Sequence, residues 1–352
     1  MLSNVIGHAK AKEKLIRAFK SGRLAHAYIF YGPAGCGKRV FAKEFIKYIN
    51  CSKRRQDSCG ACPTCKGLEA KNHPDLAVIE PVKAVIKIEQ IRAAKDLVGL
   101  KAAQCEYRTV LINDADKMNM QASDALLKLI EEPVAGTLLI LIASNIHAIS
   151  DTIRSRCQRI DFRGLSAEDT LAVLKRKGLE GPQLDFLARS SEGCPGKAVN
   201  FAEDDLFGLR EEAFKFAADL ARNGVFFITK DLGKKYGKFK EEEVEETEDP
   251  AEGTEGPAPE EKTTNGQKTL YVRNHLTDMF ISIFRDVLLV NTGSAGSIVN
   301  IDKNALIKEL SGIYSAEAAA GILSGLNRIK GLLKNSINYD LSAGNLIFRG
   351  GK

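Results

Sequence analysis

The chain has 352 residues, enough for two or three domains rather than one compact core. With 44% hydrophobic and 27% charged residues it has the composition of an ordinary globular protein, which excludes collagen-like, fibrous and wholly disordered classes. The net charge of +6 hides a split: Glu241–Glu261 carries eleven acidic residues and no Lys or Arg, so the remainder carries +17. A basic body suits a polyanion such as nucleic acid, and it equally suits a solvated basic surface. No apolar run reaches membrane-spanning length, and the first residues lack the apolar core of a signal peptide. The expected location is therefore the cytoplasm, with no membrane partner.

Taken in chain order, the first half alternates short apolar runs with helical patterns. The runs Ala27–Gly32, Leu76–Glu80, Thr109–Ile112 and Leu138–Ala143, with Arg159–Phe162 a weaker fifth, read as strands buried on both faces. Between and before them, Ala9–Ser21, Lys38–Asn50, Ile88–Gly99 and Met120–Glu132 have helical periodicity. This alternation predicts an α/β parallel sheet. After Phe162 the strands stop. Ala167–Lys177, Pro182–Ser190 and Lys197–Ala202 predict three short helices, and Leu206–Arg222 a longer amphipathic one. Lys240–Lys268 is rich in Glu, Pro, Gly and Thr, and is expected to be disordered. Helices are expected again over Leu270–Val290, Ile301–Leu310 and Ala316–Ser336. The expected domains are 1–163 for the α/β part, 164–205 for a small helical part, and 206–352 for a helical part carrying the acidic insertion 240–268.

Gly32-Pro33-Ala34-Gly35-Cys36-Gly37-Lys38-Arg39 follows a strand and precedes a helix. The glycines Gly32, Gly35 and Gly37 let backbone N–H groups curl around phosphate, and Lys38 would reach the β and γ phosphates. The next residue should carry a hydroxyl for Mg²⁺; here it is Arg39, which cannot ligate a cation. The acidic pair of a hydrolytic site should close a neighbouring strand. The candidate run is Val110-Leu111-Ile112-Asn113-Asp114-Ala115-Asp116. One register puts Asn113 in the metal-binding position and Asp114 in the base position; the next keeps Asp114 for metal but puts Ala115 at the base. Either register damages hydrolysis. The alternative is a loop that only caps a helix.

Cys51, Cys59, Cys62 and Cys65 place four thiols within fifteen residues. Two overlapping C-x-x-C turns plus Cys51 can close a tetrahedron around zinc in a structural role, since four thiolates leave no open position. An iron–sulfur cluster and a redox pair are the alternatives. Cys36, at a helix start, could be oxidation-sensitive or simply small enough for its loop. His73 reads as a loop contact rather than a fifth ligand.

The phosphate loop, the helix segment Ala125-Leu126-Leu127-Lys128-Leu129-Ile130-Glu131-Glu132-Pro133 and the tripeptide Ser155-Arg156-Cys157 occur in this order. With the inserted cysteines, and with Gly22–Tyr28 and Asn72–Asp75, they resemble the AAA+ subunits of bacterial DNA polymerase III clamp loaders. The resemblance is strong from about residue 5 to 200. It implies a five-stranded AAA+ sheet, a three-helix lid and a helical C-terminal collar domain. It implies that Arg156 reaches the ATP of an adjacent subunit as an arginine finger, that Asn145 stands at sensor 1, and that Lys197 in Gly193–Ala198 stands at sensor 2. The partners implied are the gamma/tau and delta types of clamp-loader subunit, the sliding clamp and primer-template DNA. The departures at Arg39 and Asn113 point to a non-hydrolysing member, with nucleotide at Gly32, Gly35, Gly37, Lys38, Arg39 and Asp114 doubtful. The alternative is a gamma/tau-type ATP-hydrolysing motor subunit, and a third is a DNA-binding AAA+ protein outside replication.

Overall fold

A computed structural model describes residues 1–53, 56–70, 73–99, 104–181, 183–204, 206–223 and 265–332. The chain divides into two compact units, Met1–Asn200 and Phe201–Lys352. The division falls inside a helix, a few residues before the boundary at 205 expected from the sequence. Among the described residues no helix is long and apolar enough to cross a membrane.

In the first unit β1 (Ala27–Tyr31), β2 (Leu76–Ile79), β3 (Arg108–Ile112), β4 (Thr137–Ala143) and β5 (Gln158–Asp161) form one parallel sheet in the order β2-β3-β4-β1-β5. All five match the expected runs to within a residue or so at each end. Alternate residues serve opposite faces. Tyr28, Phe30, Leu111, Ile140 and Ile142 pack on α1 (Ala9–Lys20) and α2 (Lys38–Asn50). Ala27, Ile29, Val110, Ile112 and Leu139 pack on α4 (Ile88–Gly99) and α5 (Met120–Glu131). Both faces are covered, which is why these strands read as continuous apolar runs. Only β5 shows exposed residues in most positions, as its edge place allows.

Two short helices escaped the sequence reading. The first, α3 (Pro63–Glu69), has Pro63 at its first position and is capped by the Cys62 sulfur, which accepts from the Cys65 N–H. The second, α6 (Asp151–Arg156), is capped by the Ser150 side chain. α7 (Ala167–Arg176), α8 (Leu184–Ser190) and α9 (Pro195–Glu203) follow β5.

The second unit packs α10 (Leu206–Asn223), α11 (Asn265–Asn291), α12 (Asn304–Ile313) and α13 (Ala316–Leu332) around Phe214, Phe280, Phe284, Val287, Ile307 and Ile322. Arg210 is 1% exposed yet satisfied: its guanidinium donates to Asp302 at 2.7 and 2.8 Å and to the Asn300 side chain at 2.9 Å. Asp286, fully buried, accepts from the Val299 and Asn300 backbone N–H groups. The expected disordered stretch 240–268 needs correction at its end, because Asn265–Lys268 open α11. Their polar composition mimics a loop, but the apolar residues that follow carry the helix back over them. Residues 240–264 lie outside the described residues.

Candidate functional site

Sheet order reverses around β1, whose neighbours are β4 and β5. Crevices at such switch points are where α/β sheets bind ligands. The loop after β1 turns there. Gly32 has φ +148° and donates to the Ala143 carbonyl; a Cβ at this position would lie 1.9 Å from the Phe162 carbonyl oxygen, so only glycine fits. Gly37, at φ +101°, starts α2.

A cleft of about 720 Å³ opens beside this loop. One wall is apolar: Val5, Ile6, Leu165, Val173 and Val199. The lining also holds Gly35, Gly37, Lys38, Arg39, Asn113 and Asp114. The structure thus brings together Gly35, Gly37, Lys38, Arg39 and Asp114 as the sequence expected, and leaves Gly32, Asn145, Lys197 and Arg156 off the cleft lining. The apolar wall was missed, because its members come from three separated segments, none with a local signature.

Within the cleft Lys38, Arg39 and Asn113 are already engaged with other groups of the protein. Lys38 is 5% exposed and donates to the Gly32 and Pro33 carbonyls at 2.6 and 2.7 Å. Burial lowers its pKa. Arg39 forms an ion pair with Glu80, and the same Glu80 oxygen accepts from the Asn113 side-chain amide at 3.2 Å. The two residues that depart from a hydrolytic pattern are therefore joined through one carboxylate. The Asn113 carbonyl oxygen is buried without a hydrogen-bond partner among the described residues. Asp114 sits in the left-handed region at φ 49° and accepts from Lys117 at 3.4 Å. The N-terminal turn of α9 lies directly on the loop: Gly196 N–H donates to the Gly35 carbonyl at 3.0 Å, and a Cβ on Gly196 would meet Gly35 Cα at 2.9 Å.

His8 braces the loop from the other side. Its Nε2–H donates to the Cys36 carbonyl at 2.8 Å, and its ring meets Phe162 edge-on at 4.8 Å. Burial lowers its pKa, which favours the neutral ring. Cys36 is 1% exposed and burial raises its thiol, which removes the oxidation-sensitive reading. Asn145 spends its side-chain oxygen on the His147 N–H at 3.0 Å, capping a short 3-10 turn. Lys197 faces Glu192 at 3.8 Å and is half-exposed.

Arg156 ends α6 on the surface. Its Nε lies 3.0 Å from Glu131 Oε1, and its Nη1 donates to the Thr152 carbonyl at 3.1 Å. The neighbouring Arg154 is turned elsewhere, paired with Asp151 and in contact with His147.

The sulfurs of Cys51, Cys59, Cys62 and Cys65 all lie within 4.8 Å of one another, so the four could hold a metal ion. Backbone N–H groups of Cys59, Cys62 and Cys65 point at the sulfurs of Cys51, Cys59 and Cys62 at 3.3, 3.3 and 3.4 Å. Such donors stabilise thiolate charge and orient ligands. The donor set fits a soft tetrahedral ion.

His73, Asp75 and Cys105 form a second buried group, with one imidazole, one carboxylate and one thiol. It has another use. Asp75 is 0% exposed, pairs with Arg108 at 3.1 Å, and accepts from the Gln104 and Cys105 N–H groups at 2.7 and 2.9 Å. Arg108 in turn donates to the Leu97 carbonyl at 2.7 Å. His73 packs against Gly67 in α3, which agrees with its reading as a loop contact.

Comparison with known proteins places these features in a family context. A family model described as DNA polymerase III, delta subunit, matches residues 7–166. The delta' subunit of DNA polymerase III from Pseudomonas aeruginosa is 42% identical over 183 residues, covering 50% of each chain. The delta' subunit from Bacillus subtilis is 28% identical over 298 residues, 84% of this chain and 81% of that protein. The tau subunit from Bacillus subtilis is 28% identical over 330 residues, 92% of this chain. This chain spans 57% of the tau subunit's length. The resemblance to DNA polymerase III clamp-loader subunits is borne out, with delta' and tau subunits both among the relatives.

Proposed function

From a chain similar to the delta' and tau subunits of DNA polymerase III, we propose a delta'-type clamp-loader subunit that does not hydrolyse ATP. It scaffolds the loader in the cytoplasm, donates Arg156 in trans to a neighbouring ATPase subunit, and helps place the sliding clamp on primer-template DNA. The other loader subunits of gamma/tau and delta type, the clamp and DNA are its partners. The region 1–163 is the AAA+ part, 164–205 its lid, and 206–352 the collar.

One observation carries the non-hydrolysing half of this reading: the Arg39–Glu80–Asn113 connection. Mg²⁺-assisted transfer needs a hydroxyl after the loop lysine and a carboxylate at the strand end. Here those positions hold a guanidinium and an amide, both bound to the same carboxylate. Lys38 bonded to its own loop carbonyls, and Asn145 committed to a cap, support the same conclusion.

The finger role is supported by position and chemistry. A planar guanidinium supplied across an interface neutralises charge on a transferring phosphoryl group. Arg156 is 41% exposed, lies off this chain's own cleft, and stands clear of Arg154. The four cysteines are proposed to hold a structural zinc ion; when bound, it fastens the Cys51–Cys65 segment to the end of α2.

The tau similarity keeps a second reading in view, that of a hydrolysing motor. ATP turnover by the reconstituted loader, with clamp and primed DNA, separates the two. Arg156→Ala is expected to slow turnover while Lys38→Ala leaves it unchanged. A loss of turnover with Lys38→Ala would support the motor.

A further inference from the structure

The segment Ala125–Pro133 carries a carboxylate, Glu131, that does not line the cleft. In the structure Glu131 closes the last turn of α5, and Glu132 and Pro133 end the helix. The α5 terminus is itself held: His26 donates from Nε2 to the Ile130 carbonyl at 3.0 Å. The carboxylate of Glu131 therefore projects from an anchored point. It meets Arg156, on the separate short helix α6, at 3.0 Å.

A guanidinium has five N–H donors in a fixed fork. In Arg156 the Nε lies in ion-pair contact with Glu131. Nη1 goes to the Thr152 carbonyl at 3.1 Å and the Ser155 hydroxyl at 3.4 Å. Nη2 has no partner among the described residues. The guanidinium is thus held from this chain by an ion pair at Nε and hydrogen bonds at Nη1, leaving Nη2 for an outside acceptor. α6 alone would not achieve this, because the two contacts from its own helix hold only Nη1.

We propose that Glu131 is a positioning residue for Arg156, orienting the guanidinium toward an anionic phosphoryl oxygen of the adjacent subunit's nucleotide. This rests on the finger role proposed above. Glu131 touches neither nucleotide nor reacting atoms. It acts by removing rotational freedom that Arg156 would otherwise lose in the transition state. Its effect therefore belongs in kcat rather than in nucleotide affinity.

The test is steady-state ATP turnover by the reconstituted loader with clamp and primed DNA, for Glu131→Gln, Glu131→Asp, Arg156→Ala and Glu131→Gln/Arg156→Ala. Glu131→Gln is expected to lower kcat about two- to fivefold, the factor a half-exposed ion pair can supply, with KM for ATP unchanged. Glu131→Asp should recover part of the loss, and Glu131→Gln should change nothing once Arg156 is alanine. If Glu131→Gln leaves kcat unchanged, raises KM alone, or slows the Arg156→Ala loader further, the positioning role is overturned, while slowing by Arg156→Ala alone preserves the finger. If Arg156→Ala itself has no effect, the finger and its positioning residue fall together.

Discussion

Asp75 shows how much one buried carboxylate can organise. It is enclosed, paired with Arg108, and caps two backbone N–H groups across from the strand β3. Removing one partner of a buried pair leaves an uncompensated charge. Asp75→Ala is expected to cost about 3–5 kcal/mol, read by chemical denaturation. A cost under about 1 kcal/mol would mean that the pair is not buried in solution. His8 gives a pH dependence of definite sign. Its folded pKa lies below the ordinary 6.5 because burial opposes the charged ring. As pH falls through 6.5 the unfolded chain takes up a proton that the folded chain resists, so stability drops on acidification. His8→Asn, which tolerates the left-handed conformation at φ 55°, should flatten the decline of Tm between pH 7 and 5 relative to wild type. An unchanged slope would show that His8 is not the group responsible. These two residues were only partly legible. The sequence marked Asp75 as part of a family-like segment, but its partner Arg108 is 33 residues away. His8 carried no pattern, since its partners Cys36 and Phe162 come from distant segments.

At the scale of elements, legibility followed burial. β1, β3 and β4 are enclosed on both faces and announced themselves as apolar runs. β5 alternates exposed Gln158, Arg159 and Asp161 around buried Ile160, and so gave a weaker signal. α3 and α6 are too short for a helical period, and their caps rather than apolar residues define them. The cleft was half legible for the same kind of reason. Gly35–Arg39 form one contiguous run and Asn113–Asp114 close a strand, whereas Val5, Leu165, Val173 and Val199 converge only through the fold. The cysteine segment makes a direct prediction. Purified protein is expected to carry one zinc ion per chain, and Cys62→Ser or a strong chelator should remove it and lower Tm. Metal analysis by mass spectrometry checks the stoichiometry; iron with acid-labile sulfide in place of zinc would favour a cluster instead.

At the scale of the whole molecule, the chain combines a cleft in which Lys38, Arg39 and Asn113 are bonded within the protein with a surface arginine, Arg156, that does not line that cleft. On the proposed reading, the cleft can lose hydrolysis while the finger role of Arg156 persists, because the two sit on different elements. The acidic run Glu241–Glu261, the strongest charge feature of the sequence, lies outside the described residues and adds nothing to this argument. The most direct test of the central claim is hydrolysis by a loader in which every other ATPase subunit carries alanine at its phosphate-loop lysine. This chain's Lys38 then belongs to the only intact loop. No clamp- and DNA-stimulated ATP turnover above background is expected. Turnover that disappears when Lys38→Ala is added would contradict it and make this chain a motor in its own right.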